Sequence, residues 1–348
     1  MKINSQKREG NKVFFEIEED PAKLKEIFEK TLVEAGKEIK ISGFRPGKAP
    51  RGMVERAIDP EAVNYRATQN VISEIYPKLI EETKIEPVDY PNIDIVSNEK
   101  DKPLVFKLSV EVYPEVKLGK YIGIKAERKS TEVKEEEIIH TLGRLQERFS
   151  ATNAEGKKEL LALDDEFAKK VSRYGTLEEL KEELKTALKN EKTAESDADV
   201  KNKLIGLVAA DTDVEIPSSM TEREIEIMFD ELKTSLSQSG LTIDDYLKGA
   251  KKEEKSLRDE MRKSAEIRVK GKVILRAIAE KEGLKVEEET IRDEIKAMAG
   301  ETGQDIDAIM KKLEKGTRSY MEEYLLRKKA LEFLLEKANI KVEEEKKG

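Results

Sequence analysis

Gly43-Phe44-Arg45-Pro46-Gly47-Lys48-Ala49-Pro50 sets an aromatic ring and two cations around a Pro-Gly pair. Proline presets φ at the second position of a type II turn and glycine accepts the positive φ needed at the third. Phe44, Arg45 and Lys48 are therefore expected near a tip. A ring flanked by charges suits a partner surface with a small apolar recess and acidic neighbours. The segment from Gly36 to Arg56 carries Lys37, Lys40, Arg45, Lys48, Arg51 and Arg56 against Glu38 and Glu55, so the chain is locally basic. A phosphate-cradling loop needs four residues between its glycines and Ser or Thr after the lysine. Here three intervene and Ala49 follows, which excludes nucleotide binding. The competing reading is an ordinary surface turn with Phe44 tucked into the local core.

Working outward, strict alternation of Val13, Phe15 and Ile17 predicts a strand over Lys12 to Glu18. Asp20-Pro21 opens a helix running to Gly36, with aspartate as N-cap and proline in the first turn. Pro50 opens a short second helix, and Asp59-Pro60 a third reaching Thr83. Val63, Ala67, Val71, Ile75 and Leu79 recur every fourth residue of this third helix as one buried stripe. Ile93 to Val96 and Leu104 to Val112 read as strands. Together these elements predict a small antiparallel sheet carrying helices, an α+β domain ending near Tyr113-Pro114. Residues 115–131 read as an extended linker. Ile138, Leu142, Leu145 and Phe149 then mark a helix from Glu132. Beyond residue 164 nearly everything reads as helix. The Thr176-Leu177-Glu178-Glu179 capping box heads a long one. Pro217 opens the next, which carries Ile225, Phe229, Leu232 and Leu236 on one face. Further helices are expected over Lys252 to Glu282, Glu287 to Ala299, Asp305 to Glu314 and Thr317 to Ala338, and a frayed tail follows from Glu343.

The loop fills every fixed position of Gly-Phe-Arg-x-Gly-Lys-x-Pro, the ribosome-docking pattern of bacterial trigger factors, and the chain resembles that family well beyond it. Residues 1–112 resemble the family's ribosome-binding domain. Leu163-Asp164-Asp165-Glu166-Phe167-Ala168-Lys169 and Val214-Glu215-Ile216-Pro217 resemble parts of its carboxyl-terminal chaperone domain. The resemblance implies an elongated multi-domain molecule: an α+β N-terminal ribosome-binding domain (1–112), a linker, helix and short junction (113–163), and a mostly α-helical C-terminal domain with projecting arms (164–348). It departs from the family at one point. A prolyl isomerase domain of the FK506-binding type, on the order of a hundred residues, is expected where this chain has only Ser150 to Ala162. That stretch contains no Phe, Tyr, Trp or Pro, so neither the wall of an apolar pocket nor the punctuation of a β domain is present. A natural member without the isomerase and one from which it was excised would read alike.

Of 348 residues, 37% are hydrophobic and 40% charged, a balance that argues for long amphipathic helices with solvated faces over one compact globule. The net charge of −8 disfavours indiscriminate nucleic-acid binding, which needs many cations facing one backbone. Absence of cysteine rules out disulfide and zinc-thiolate chemistry. The first ten residues lack an apolar signal-peptide core, and no apolar run approaches the roughly 18 residues of a membrane span. A cytosolic, soluble protein is expected.

His140 is the sole histidine. It lies off the apolar face of its helix and reads as a solvated residue, which leaves general-base catalysis without a partner. Glu135-Glu136-Glu137 and Glu287-Glu288-Glu289 lack the glycine turn and spacing of a calcium loop, so no metal, cofactor or catalytic residue is assigned. Met220, Met228, Met261, Met298, Met310 and Met321 cluster in the helical region. Thioethers repack readily around unlike apolar segments, which makes these methionines candidates for a client-binding surface, with Phe229, Tyr320 and Tyr324 beside them. The alternative is that they fill gaps between helices.

The resemblance implies an ATP-independent chaperone. Gly43, Phe44, Arg45, Pro46, Gly47, Lys48 and Pro50 would dock on a protein at the ribosomal exit tunnel, next to ribosomal RNA, while the helical arms shield nascent and unfolded polypeptides. Homodimers of the free protein are left open, and no membrane partner is expected. Prolyl isomerisation, an RNA-binding module on the basic loop and an extracytoplasmic helical chaperone are the competing functions. A proline-limited refolding assay, or a comparison of ribosomal protein with naked RNA, separates the first two.

Overall fold

In the computed structural model, residues 1–39, 44, 50–99, 102–152, 158–302, 305–306 and 318–343 are described. They group into two compact units, one of residues 1–117 with 213–273 and the other of 118–212 with 274–348.

The first unit is built on β1 (Lys2–Glu9), β2 (Lys12–Glu19), α1 (Pro21–Glu38), α2 (Arg51–Ala57), α3 (Pro60–Thr83), β3 (Asn92–Ser97) and β4 (Leu104–Glu111). The strands form one sheet in the order β1-β2-β4-β3, antiparallel throughout. Alternation decides its inner face. Val13, Phe15 and Ile17 of β2 and Leu104, Phe106, Leu108 and Val110 of β4 are buried, while Phe14 between them is 37% exposed. The whole α3 stripe predicted from spacing, Val63 to Leu79, is buried too. Most of it joins Leu24 and Ile27 of α1 on the sheet in one cluster. Each such side chain contributes about 1.5–3 kcal/mol by leaving water. Asp20 and Asp59 cap α1 and α3 by accepting from the N–H of Ala22 and Glu61, and proline occupies the first turn of both.

β1 has no local signal. Only Ile3 of Lys2–Glu9 is even half-buried, because this edge strand takes its place from pairing with β2. Charged edges of this kind discourage further strands from adding.

The sheet carries a helical hairpin as well, α7 (Ser218–Gln238) against the first part of α9 (Glu254–Lys281). Asn11 donates to the Glu215 carbonyl at 2.6 Å, and Arg223 donates to that of Val88 at 2.8 Å. The N-cap of α7 is Pro217, which offers no side-chain acceptor. Glu111 at the end of β4 supplies one instead. Its carboxylate accepts from the Ser219 N–H at 2.9 Å, the Ser219 hydroxyl at 2.5 Å and the Ser218 hydroxyl at 3.0 Å. Burial pushes the Glu111 carboxyl up, but the Ser219 and Ser218 hydrogen bonds and the Lys12 charge hold it below the ordinary carboxylate value. Across the hairpin, Arg258 pairs with Glu226 at 2.5 Å, Arg262 with Glu222 at 2.6 Å and Arg268 with Glu231 at 2.8 Å. Lys272 closes on the buried Glu224. Between α7 and α9 lies α8 (Ile243–Ala250), which the sequence reading leaves unassigned.

In the second unit, α4 (Glu135–Phe149), α5 (Asp165–Val171) and the head of α6 (Leu177–Ala210) share a core of Ile138, Leu142, Phe167, Ala168 and Leu180. Thr176 accepts from the Glu179 N–H while Glu179 returns the bond, as the capping box predicts. In the junction, two-residue strands at Ala151–Thr152 and Lys158–Glu159 pair antiparallel. The end of α9, α10 (Glu288–Thr302) and α11 (Arg318–Lys337) supply the rest of the helices. The predicted helix over Asp305 to Glu314 and the tail beyond Glu343 fall outside the described residues, apart from Asp305 and Ile306.

The extended linker contains a strand, β5 (Lys125–Arg128), which pairs in parallel with a final strand at Asn339–Val342. Numbering the junction strands β6 and β7 makes that final strand β8. Its partner is more than two hundred residues away in sequence, so local periodicity cannot announce the pairing.

Candidate functional site

The loop leaves one helix and enters another, and both ends are held. At the end of α1 the Glu38 carboxylate accepts two bonds from the Arg66 guanidinium of α3, at 3.0 and 3.3 Å. The Arg66 hydrogen bond, and then its charge, lowers the Glu38 pKa. At the start of α2, Pro50 serves as N-cap and its carbonyl accepts from the N–H of Met53 and Val54. The Arg51 guanidinium reaches back to Glu29 of α1 at 2.7 Å. Val54 is buried with Leu32 and Val63. Gly36 makes this close approach of α1 and α2 feasible, since a Cβ there would lie 2.9 Å from Val54 Cγ1.

Between these mounts, Phe44 is 39% exposed, and Val33 and Met53 on the adjoining helices are exposed as well. Val33 lines a cleft with Lys37, Arg51, Glu29 and Glu34. Gly43, Arg45, Pro46, Gly47 and Lys48 lie outside the described residues, as does the expected turn.

The candidate client residues divide. Phe229 is buried with the Arg258 guanidinium 4.3 Å and the Lys233 ammonium 4.7 Å from its ring centre. Met321 is buried with Ile291, Ile295 and Leu325 between α10 and α11. These two are interior residues and offer no surface to a client. Met220, Met228 and Met261 are half-buried. Met298, Tyr320 and Tyr324 are exposed, at 38%, 66% and 43%. Tyr320 and Tyr324 are four apart on α11 and so share a face. Met310 lies outside the described residues. The sequence reading passes over Leu207, Ile227 and Ile267, which are exposed. Leu207 follows Leu204 and Ile205 and precedes Val208, and Ile227 lies between Ile225 and Phe229, so spacing there does not separate an exposed apolar position from a buried one; Ile267 stands between Glu266 and Arg268.

His140 is exposed on α4. Among the described residues no cluster of acidic or histidine side chains could hold a metal ion, and no helix is long and apolar enough to cross a membrane.

Two family models match the chain. Residues 1–145 match the bacterial trigger factor protein, and 176–336 match the trigger factor C-terminus. The trigger factor of Pelotomaculum thermopropionicum is 31% identical, with 98% of each chain covered. The chain belongs to the trigger factor family. The trigger factor of Desulforamulus reducens is 30% identical, again with 98% of each covered. A solved trigger factor chaperone, described for promiscuous substrate recognition in folding and assembly, shares the fold with a TM-score of 0.56. At 18% identity, that likeness covers 97% of this chain and 99% of the other. As a trigger factor the chain is a chaperone, with the α+β amino-terminal region and helical carboxyl-terminal region of that family. Residues 146–175, the junction among them, fall between the two matched segments. The alignment with the Pelotomaculum trigger factor runs over 428 positions, longer than this chain of 348 residues. The relative therefore carries sequence with no counterpart here.

Proposed function

We propose that this trigger factor works without ATP, docking beside the ribosomal exit tunnel through Gly43 to Pro50 and shielding nascent polypeptides with apolar faces of its helices. The observation that carries the reading is the mounting of the loop. Its ends are fixed on α1 and α2 through Glu38–Arg66 and Arg51–Glu29, and Phe44 is exposed between them. Anchored ends limit the entropy that a loop between them loses on docking, so an aromatic anchor and two cations suffice for a weak, reversible attachment. Residues 1–112 carry the docking function, 113–163 connect, and 164–348 hold clients. Met298, Tyr320 and Tyr324 serve as part of the client surface. Clients leave when folding buries the apolar groups that held them. The protein acts in the cytoplasm on ribosomes and unfolded chains, and it catalyses no proline isomerisation. Support for that last statement is the junction from Ser150 to Ala162, which is too short and too polar to enclose a prolyl amide.

The test is cosedimentation with ribosomes. Phe44→Ala, Arg45→Ala and Lys48→Ala together should remove the chain from the ribosome pellet, a loss on the order of several kcal/mol, with circular dichroism unchanged. Pelleting of this variant at parental levels would end the assignment. In parallel, the parent should delay aggregation of an unfolded client at equimolar ratio while leaving a proline-limited refolding phase at its uncatalysed rate.

A further inference from the structure

The apolar residues of the sheet domain fall into a large cluster on the sheet and a small one of Leu32, Val54 and Val63, and Phe28 packs against both. A cleft of about 700 Å³ follows this seam, lined by Leu24, Phe28, Leu32, Ile58 and Val63 among others. That volume is ordinary for a ligand pocket, about 300–1,000 Å³. Leu24, Leu32 and Val63 are buried, but Phe28 and Ile58 are only half-buried, so two apolar side chains can be reached from outside. Glu29, Leu32 and Arg51 line both this cleft and the one at Val33. The ion pair that holds the docking loop therefore stands at the edge of this cleft too.

The charges around the cleft cancel. Arg51 pairs with Glu29 at 2.7 Å and Lys102 with Glu99 at 2.5 Å, and the two that remain in its lining, Lys25 and Glu61, are of opposite sign. Neither an anion nor a cation is favoured there. One uncharged polar side chain is left, that of the half-buried Asn64. Its main-chain carbonyl accepts from the Thr68 hydroxyl at 2.8 Å, while its side-chain amide has no partner among the described residues. An amide both donates and accepts, as a peptide group does, and so complements polypeptide backbone.

We propose that this cleft holds an uncharged apolar segment of an unfolded polypeptide, with its side chains against Phe28 and Ile58 and its backbone on the Asn64 amide. The class of ligand rests on the chaperone reading, and the position of the cleft adds to it. Helices α1 and α2, which wall the cleft, also carry the docking loop, so a docked molecule brings the cleft with it to the ribosome. The sheet domain then holds a client as well as docking, in addition to the surface on the helical region.

The chain contains no tryptophan, so Lys25→Trp, at an exposed position of the lining, supplies a single fluorophore that reads this cleft and no other surface. The probe is a ten-residue peptide of glycine and serine with Leu-Phe-Leu at its centre, titrated against the full chain and followed by tryptophan emission. A saturable blue shift is expected. Asn64→Phe in the same background fills the cleft at little cost in helix propensity, and should weaken binding about tenfold or more with the urea midpoint held. Replacing Leu-Phe-Leu by three serines should abolish the shift. Raising salt to about 0.5 M should change the affinity less than about twofold, because no net charge draws the peptide in. Absence of a saturable shift, unchanged affinity in Asn64→Phe, or a steep salt dependence overturns the proposal. So does a shift that grows with protein concentration in the absence of peptide, because a second copy would then be the occupant. Ribosome pelleting of the loop variant and aggregation suppression by the parent test the chaperone reading separately, and the shift can fail with both of those intact.

Discussion

The sheet domain and the helical region bury their apolar residues in opposite ways. In the first, β2, β4, α1 and α3 pool most of theirs into one cluster centred on Phe15, Ile75, Leu79 and Phe106, with Leu32, Val54 and Val63 in a small one beside it. In the second, the apolar residues are divided among separate small clusters: one on α10 and α11, one around Phe167, one beneath β5, and one around Ile274 and Ile278. A pooled core fails as a whole. Divided cores can open one at a time, at free energies well below that of global unfolding. A docking platform needs the first property, and a surface that adapts to unlike clients needs the second.

The strongest challenge to this contrast is Phe106→Ala. Its ring is fully buried in the pooled core, so truncation should cost about 3–5 kcal/mol and shift the urea midpoint of the sheet domain as a unit. A loss under about 1 kcal/mol would show that the core is not shared.

Leu325→Ala asks the reverse question. This residue is 1% exposed within the α10–α11 cluster, and about 2 kcal/mol should be lost. Hydrogen exchange should quicken in Glu288–Thr302 and Arg318–Lys337 while the amides of β2 and β4 keep their protection. Faster exchange in the sheet as well would erase the distinction.

The smallest effect lies within the first unit, where the sheet meets its helical hairpin. Because the folded pKa of Glu111 is depressed, its stabilising bonds to Ser218 and Ser219 are fully present above the ordinary carboxylate value of 4.5 and are lost as pH falls through the lowered folded value. The first turn of α7 should then lose exchange protection in acid. Glu111→Gln should lower stability by about 1 kcal/mol and flatten that pH dependence. An unchanged profile in Glu111→Gln would assign the acid response to other carboxylates.

The parts of the fold legible in the sequence are those whose signal is local. The Val63 to Leu79 stripe, the β2 alternation and the Thr176 box each declare themselves within a few turns, and all three stand as expected. What escaped depends on distant partners. β1 carries almost no apolar residues, β5 is read as linker while β8 falls unassigned between the helix ending at Ala338 and the tail from Glu343, and the acceptor that caps α7 belongs to β4. At the candidate surfaces, helical spacing marks Phe229, Met321, Tyr320 and Tyr324 alike. Spacing reports that a face is apolar, and only the neighbouring helix decides that Phe229 and Met321 are covered while Tyr320 and Tyr324 are not.

The bond from Glu111 to the head of α7 also fixes an order of events during synthesis. The two partners are separated by 108 positions, so at roughly 5–20 residues per second the carboxylate exists for on the order of five to twenty seconds before its serine is made. The finished strand is then a socket waiting for a plug. The hairpin that follows Pro217 is assembled onto a surface already built, and expressing it apart from that surface should leave its leading turn frayed.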